Sequence, residues 1–352
     1  MSRMDDVLEN VAIDAWAKGF TRAPNQANAP HEADAELVEL AQAPDQLLAI
    51  TIDTVAEEIA AGLYRDPFTM GWVTVMASLS DLAAVGADPI GVVVSVSVHP
   101  ESDGAFIDGV RRGMEEACRS LGIFILGGDS NAVPAVSLTG CAIGTVPRSA
   151  VRTRLGIGPG DAVFLTGPAG DGNALGLVRL AGLPDEFFPE EGYRPSARLS
   201  EGRALRGVAT ASMDTSDGVL TTLDQLARLN GHGFLVDCHW PALLSRDALG
   251  VCERAGTPPW MMLAGPHGEF ELVFTVPASG VESFLDEAPG NGLSPLRLGT
   301  VTEDEGITLV LPSGPRVDID MAPVRNLLAT TGGDLARYLD EFRKLGRSWG
   351  LE

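Results

Sequence analysis

From residue 46 onward the chain switches repeatedly between a hydrophobic period of two and one of about 3.6, and few folds can absorb that switching. QLLAITIDT (46–54) is apolar and rich in β-branched residues. PIGVVVSVSVHP (89–100) alternates strictly, with Val94, Val96 and Val98 on one face and Ser95, Ser97 and His99 on the other, as a half-buried strand requires. Between them TMGWVTVMASLSDLAAVG (69–86) is apolar at helical spacing and is closed by Gly86, with Pro89 beyond. DGAFIDGVRRGMEEACRSLG (103–122) predicts a second, amphipathic helix ending at Gly122. FILGGDS (124–130) reads as a short strand running into a glycine pair and an acid, and VSLTGCAIGTV (136–146) as another strand. For Gly127 and Gly128 a turn is as common a reason as close approach to a phosphate.

RSAVRTRLGIGPG (148–160) is basic, glycine-rich and without apolar periodicity, which marks a connection between domains. DAVFLTGPAGDGNALGL (161–177) then restarts strand, loop and helix, and GLPDEFFPEEGYRP (182–195) reads as an exposed excursion. VLTTLDQLARLNG (219–231) is helical and stops at Asn230-Gly231. GFLVD and ELVFTV follow as strands, RLGTV (297–301) and ITLVL (307–311) are expected to pair with each other, and GGDLARYLDEFRKLG (332–346) to form a surface helix. The expectation is an α/β (α+β) chain in layers: a first domain over 1–150, a second α/β domain over 151–325, and a helical tail over 326–352.

At 352 residues the length fits two ordinary domains. A net charge of −23 argues against nucleic acid, whose phosphate backbone needs a basic surface. An acidic protein can still hold a nucleotide when divalent cations stand between its carboxylates and the phosphates, which calls for clustered aspartates. Cys118, Cys141, Cys238 and Cys252 form no CxxC pair, so neither a zinc site nor a disulfide framework is signalled, and a reduced cytoplasm fits. MSRMDDVLENVAIDAW at the start lacks the basic-then-apolar form of a secretory signal, and no stretch is apolar for long enough to span a bilayer.

The acids that stand out sit at element ends. Asp53 follows a strand, Asp129 follows Gly127-Gly128, and SMDTSDGVLTTL (212–223) sets Asp214 and Asp217 three residues apart where a helix begins. One capping oxygen is enough for a helix start, so the second acid asks for a cation or for solvent. Asp81 interrupts an apolar helix, where a charge is costly unless paired, exposed or bound to metal. Taken singly, Asp53 or Asp214 is more often a loop or capping residue than a ligand. Together they are placed to converge on Mg²⁺ and a nucleotide. GxGxxG, the Walker lysine motif, HExxH and GxSxG are all absent.

LLAITIDT, SLSDLAAVGADP, FILGGDS, RTRLGIGPGD, LTGPAGDGNALGL, SMDTSDGVLTTL and GEFELVFTVP, in this order, resemble the thiamine-monophosphate kinase family, within the superfamily of aminoimidazole-ribonucleotide (AIR) synthetase. The resemblance spans about residues 30 to 310 and is most specific at SLSDLAA and DTSDG. It implies a two-domain AIR-synthetase-like fold whose N-terminal sheets pair into a β-barrel across a homodimer, with a C-terminal α/β domain closing the site. It also implies ATP and Mg²⁺ as cofactors, a small phosphorylated metabolite as acceptor, and in-line transfer without a covalent intermediate. Carried over, Asp53, Asp81, Asp129, Asp214 and Asp217 match metal-binding aspartates, with the acids of DTSDG holding different ions, and Thr51 matches a hydroxyl beside a metal. Gly127, Gly128, Ser216 and Arg154 match nucleotide contacts, and Asp217 and Arg154 are the implied catalytic residues. The N-terminal acidic motif is reduced to EADAELVEL, which places Glu36 at its metal-binding acid, with Asp34 competing.

The substrate side departs from the family. Its histidine falls at Ala60, and its acidic motif reads Pro266-His267-Gly268-Glu269-Phe270-Glu271-Leu272, so the acid that contacts substrate has become Gly268. DIDMAPVRNLL (318–328) has no counterpart of the expected aromatic residue. An ATP-dependent ligase that activates a carbonyl oxygen, or a non-catalytic nucleotide-binding homologue, are the competing readings. The selenophosphate and hydrogenase-maturation branches are disfavoured because this chain has no cysteine near either end.

Overall fold

The structure, a computed structural model, describes residues 7–17, 19–311, 314–332 and 334–351. The first six residues of the N-terminal reading and Gly333 of the tail lie outside the described residues. Among the described residues two sheets form. The first contains β1 (Glu36–Glu39), β2 (Gln46–Thr54), β3 (Asp88–Val98), β4 (Ile125–Ala132) and β5 (Ser137–Pro147) in the order β1-β2-β5-β3-β4, antiparallel except for the β3–β4 pair. Residues 25–27 run along β1 through a bridge between Gln26 and Val38, and no strand joins β4 back to β1, so among the described residues no barrel closes.

Helix α1 (Leu8–Ala17) precedes this sheet, and the short α2 (Ala56–Ala60) follows β2. The long α3 (Pro67–Ala84) lies on one face, and α4 (Gly104–Ser120) packs against α3. The Asp66 carboxylate caps α3 by accepting from the Thr69 amide at 3.0 Å, and Pro67 supplies a first helical residue that needs no partner for its nitrogen. At the other end Gly86 takes φ +70°, with hydrogen bonds from the Gly86 and Ala87 amides back to the Ala83 and Leu82 carbonyls. α3 and α4 approach through glycine, since a Cβ on Gly71 would stand 2.1 Å from the Val110 carbonyl oxygen. The opposite face is bare, with Ile52 69%, Leu126 53% and Ile90 51% exposed.

One expectation fails in this sheet. Gly127-Gly128-Asp129 is not a turn: β4 runs straight through it, in parallel register with Val93–Ser95 of β3. Gly128 is needed for close approach, because a Cβ there would lie 2.1 Å from the Val94 carbonyl oxygen.

The second sheet holds β6 (Ala162–Leu165), β7 (Ala211–Asp214), β8 (Gly233–Val236), β9 (Leu272–Val276), β10 (Leu296–Thr302), β11 (Gly306–Val310) and β12 (Arg316–Ile319), ordered β12-β11-β8-β10-β6-β9-β7. RLGTV and ITLVL therefore do not pair with each other. β8 lies between them, antiparallel to β10 and parallel to β11, because its two open edges take one neighbour each. Helices α5 (Asp171–Leu180), α6 (Leu199–Ala204) and α7 (Val219–Asn230) accompany the sheet, and the buried residues of α7 include the predicted Val219, Leu220, Leu223, Leu226 and Ala227.

The stretch 182–195 is only half the exposed excursion expected. Asp185 and Glu186 face solvent, but Phe188, Glu190 and Tyr193 are buried. The Glu190 carboxylate accepts from the Arg65 and Asp66 amides at 2.9 Å and pairs with Arg179 at 2.6 Å, which ties the stretch to the start of α3. The last helix, Leu335–Ser348, is amphipathic, and Phe342 with the following Trp349 packs edge-on against Trp260 at 5.0 and 5.7 Å. Among the described residues no helix is long and apolar enough to cross a membrane.

Candidate active site

The two sheets meet where β2, α3 and the end of β7 come together. β7 ends at Asp214, a tight turn carries Ser216 and Asp217, and α7 starts at Val219. Asp214 is 2% exposed, and its carboxylate accepts from Ser80 Oγ at 2.6 Å and Ser216 Oγ at 3.0 Å. Ser80 belongs to α3, so that helix presents Ser80 to one aspartate and Asp81 to the cleft. Thr51 of β2 donates to Asp81. Asp53, two residues further along β2, is close enough for its charge to act on Asp81, and its Oδ2 is buried without a partner. Asp217 accepts from Gln225 of α7 at 3.3 Å.

Asp34 completes the group from the segment before β1. Its side chain is fully buried, one oxygen pairs with Arg154 Nη2 at 2.9 Å, and the other has no partner. Carboxylate oxygens of Asp34, Asp81 and Asp214 all lie within 4.8 Å of one another. Arg154 arrives from the connecting segment, whose backbone is anchored by the Arg154 amide on the Glu32 carbonyl at 2.8 Å.

Electrostatically the group is frustrated. Burial, reinforced by the neighbouring carboxylates, pushes Asp53 up to about 6 and Asp214 up to about 7, and drives Asp81 well above the usual carboxylate range. Asp217 is raised by burial and by Asp34, against the pull of Arg154. Burial opposes the charge of Arg154, but Asp34, Asp81 and Asp214 hold its protonation above the ordinary arginine value. An all-oxygen donor set with unpartnered, mutually repelling oxygens fits hard divalent cations, and Mg²⁺ in particular.

Of the residues singled out in the sequence, the structure brings Thr51, Asp53, Asp81, Arg154, Asp214, Ser216 and Asp217 together, with Asp34 beside them. Glu36 stands apart: it is exposed on β1, where it accepts from Gln26 at 2.8 Å and lies 3.8 Å from Arg22. Gly127, Gly128 and Asp129 also stand apart, exposed on the edge strand β4. The register Thr54–Thr139–Ser95–Asp129 puts Asp129 at the level of Thr54, one residue past Asp53, but three strand spacings away, roughly 14 Å. Sequence reasoning passed over Ser80, whose signal was a hydroxyl beside Asp81 in an otherwise apolar helix.

The motif that lost its first acid lies behind the DTSDG turn. The Gly268 amide donates to the Ser216 carbonyl at 2.8 Å, and a Cβ on Gly268 would stand 1.5 Å from the Thr215 carbonyl oxygen, so no side chain fits there. Tyr193 Oη donates to the Gly268 carbonyl at 2.8 Å and Tyr64 Oη lies 2.9 Å from His267 Nε2, with the two tyrosine rings stacked 6.1 Å apart. Burial pushes His267 down to about 4, so it is neutral at ordinary pH. Glu269 is pushed up to about 8 by burial, with the neighbouring Glu271 adding to the effect, and accepts from the Gly170 amide at 2.6 Å.

Residues 32–146 match the family of AIR synthase related proteins, N-terminal domain. The thiamine-monophosphate kinase of Escherichia coli K12 is 31% identical over 284 residues, covering 77% of this chain and 84% of that protein. The thiamine-monophosphate kinase of Halobacterium salinarum is 34% identical over 248 residues, covering 69% of this chain and 81% of its own length. Among solved structures, AaThiL in complex with AMPPCP and TMP superposes with a TM-score of 0.70 at 24% identity, over 85% of this chain and 92% of that one, which establishes likeness of fold.

Proposed function

Because the chain belongs to the thiamine-monophosphate kinase family, we propose that it transfers the γ-phosphoryl group of ATP to the phosphate of thiamine monophosphate, giving ADP and thiamine diphosphate. One observation carries the reading beyond kinship: Asp34, Asp53, Asp81, Asp214 and Asp217 converge from distant parts of the chain with carboxylate oxygens left unpartnered. Buried acids that repel one another are costly to keep unless a cation joins them.

Asp34, Asp53, Asp81, Asp214 and Asp217 would hold Mg²⁺, with Thr51 fixing Asp81 and Ser80 fixing Asp214. The ion supplies charge neutralisation between these carboxylates and the phosphates. Arg154, held protonated by its acidic neighbours, would steady the phosphate oxygens as negative charge redistributes. Ser216, on the turn, would face the nucleotide. The acceptor is a phosphate oxygen that is already ionised, so no general base is required. As the new P–O bond forms, the bond from the γ-phosphorus to the bridging oxygen breaks and ADP leaves with that electron pair. Catalysis is then mostly positioning and electrostatics.

The bare face of the first sheet would be covered by a second copy of the chain, closing the open sheets into a barrel across a homodimer. Ile52, Ile90 and Leu126 would be buried there, and the edge strand with Gly127, Gly128 and Asp129 would be brought toward a nucleotide site. A direct assay tests the reading: protein, Mg·ATP and thiamine monophosphate should yield ADP and thiamine diphosphate in equal amounts. ATP consumption without that product would point to another acceptor, and no turnover with any acceptor to a binding protein.

A further inference from the structure

We infer that Glu58 determines acceptor specificity, its carboxylate pairing with the positively charged ring that the acceptor carries beyond its phosphate. This rests on the phosphotransferase reading above and names how the same site recognises its second substrate.

Glu58 lies on α2, the short helix that follows the Asp53 strand, and its carbonyl accepts from the amide of Leu63, the residue before Tyr64, at 2.9 Å. Its Oε2 is buried and has no hydrogen-bond partner. The charges acting on it are those of Glu57, Asp53 and Asp217, all negative, and it acts in turn on Tyr64 and Tyr193. Glu58 therefore stands where the cleft aspartates meet the Tyr64–Tyr193–His267 cluster.

A buried carboxylate oxygen left without a donor is expensive; a hydrogen bond with its own backbone favours the charged form of Glu58, but every neighbouring charge opposes it. A metal is not the economical answer, because the acids that gather within ligating distance of one another are Asp34, Asp81 and Asp214, without Glu58. A cation brought by the acceptor is. The thiazolium ring of thiamine monophosphate bears a permanent positive charge and has no N–H on its charged nitrogen, so it asks for a neighbouring anion rather than a hydrogen-bond acceptor. Other groups on this side cannot serve. Ala60 offers a methyl, His267 is neutral, and the amide and carbonyl of Gly268 are already bonded to Ser216 and Tyr193.

The test compares two acceptors, thiamine monophosphate and the phosphate ester of the uncharged hydroxyethylthiazole, in the wild-type chain and in Glu58→Gln and Glu58→Asp. The wild type should favour the charged acceptor. Glu58→Gln should raise KM for thiamine monophosphate by about tenfold or more, as loss of a charged contact does, and erase the preference, with Glu58→Asp partly restoring it. Affinity for an Mg·ATP analogue, measured without acceptor, should stay as in the wild type and shows that the variants are folded. An unchanged KM in Glu58→Gln overturns the inference, as does a weakened Mg·ATP affinity, which would make Glu58 a metal-side group. If the wild type itself makes no thiamine diphosphate, the phosphotransferase reading fails first, and this inference falls with it.

Discussion

Glu190 and Asp214 are almost equally buried, at 5% and 2% exposure, yet their surroundings treat them in opposite ways. Glu190 receives two backbone amides and the Arg179 guanidinium, and Glu271 nearby receives Arg198 together with Thr166 Oγ1 at 2.5 Å. Each of these carboxylates is matched within the chain. Asp214 receives two hydroxyls but shares its cleft with Asp34, Asp53, Asp81 and Asp217, and Arg154 is the cation that acts on them. Matched acids clamp segments together, here the 185–195 stretch to the start of α3. Unmatched acids store repulsion that a ligand can relieve. Burial alone does not separate the two roles, whereas the local charge balance does.

The comparison breaks if removing an acid has the same consequence in both places. Asp81→Asn should lower phosphoryl transfer by ~10³-fold or more, read from initial rates at saturating Mg·ATP, because charge stabilisation of the transferring group is lost. The same variant should melt at a higher temperature than the wild type when both are stripped of metal, since one source of repulsion is gone. Glu190→Ala should do the reverse. It leaves Arg179 buried without its main partner and should cost about 3 kcal/mol of stability in urea titration.

Ligand binding sharpens the contrast. Mg²⁺ with an ATP analogue at a hundred times its Kd should stabilise the wild type by about 2.7 kcal/mol in thermal melts. Glu190→Ala should show the same increment and Asp81→Asn much less of it.

A subtler separation comes from pH. The folded-state values of Asp53 (about 6) and Asp214 (about 7) lie above the ordinary carboxylate value, so between pH 4 and 7 the folded chain binds more protons than the unfolded one. Metal-free stability should therefore fall as pH rises through that window, and saturating Mg²⁺ should flatten the profile. The smallest effect lies outside both groups of acids. A Cβ on Gly346 would stand 2.2 Å from the Trp260 ring, so Gly346→Ala should cost about 1–2 kcal/mol by loosening the last helix, with KM for ATP unchanged.

Much of the fold was legible residue by residue. The stop of α3 at Gly86, the alternation of β3 and the apolar face of α7 all follow from local periods and caps, which depend on near neighbours only. The convergence of Asp53, Asp81, Asp214 and Asp217 was legible as well, because each sits beside a strand end or on a buried helix where an acid needs a reason. Other features could not be read that way. β8 taking β10 and β11 on its two edges, Gly127-Gly128 running inside β4, and Glu190 folding inward all depend on partners tens of residues away. The choice between Asp34 and Glu36 was of this kind too. Asp34, in the bend before β1, and Glu36, its first residue, are acids two positions apart, and only the packed Arg154 distinguishes the one that joins the cleft.

The sequence by itself determined which segments become helices and strands and which acids sit at their ends, since hydrophobic period, caps and glycine act over a few residues. Tertiary structure alone decided the strand neighbours, the burial of the 188–193 segment and the imbalance of charge in the cleft. Edge pairing, desolvation and Coulomb repulsion arise only once distant parts of the chain share a low-dielectric space.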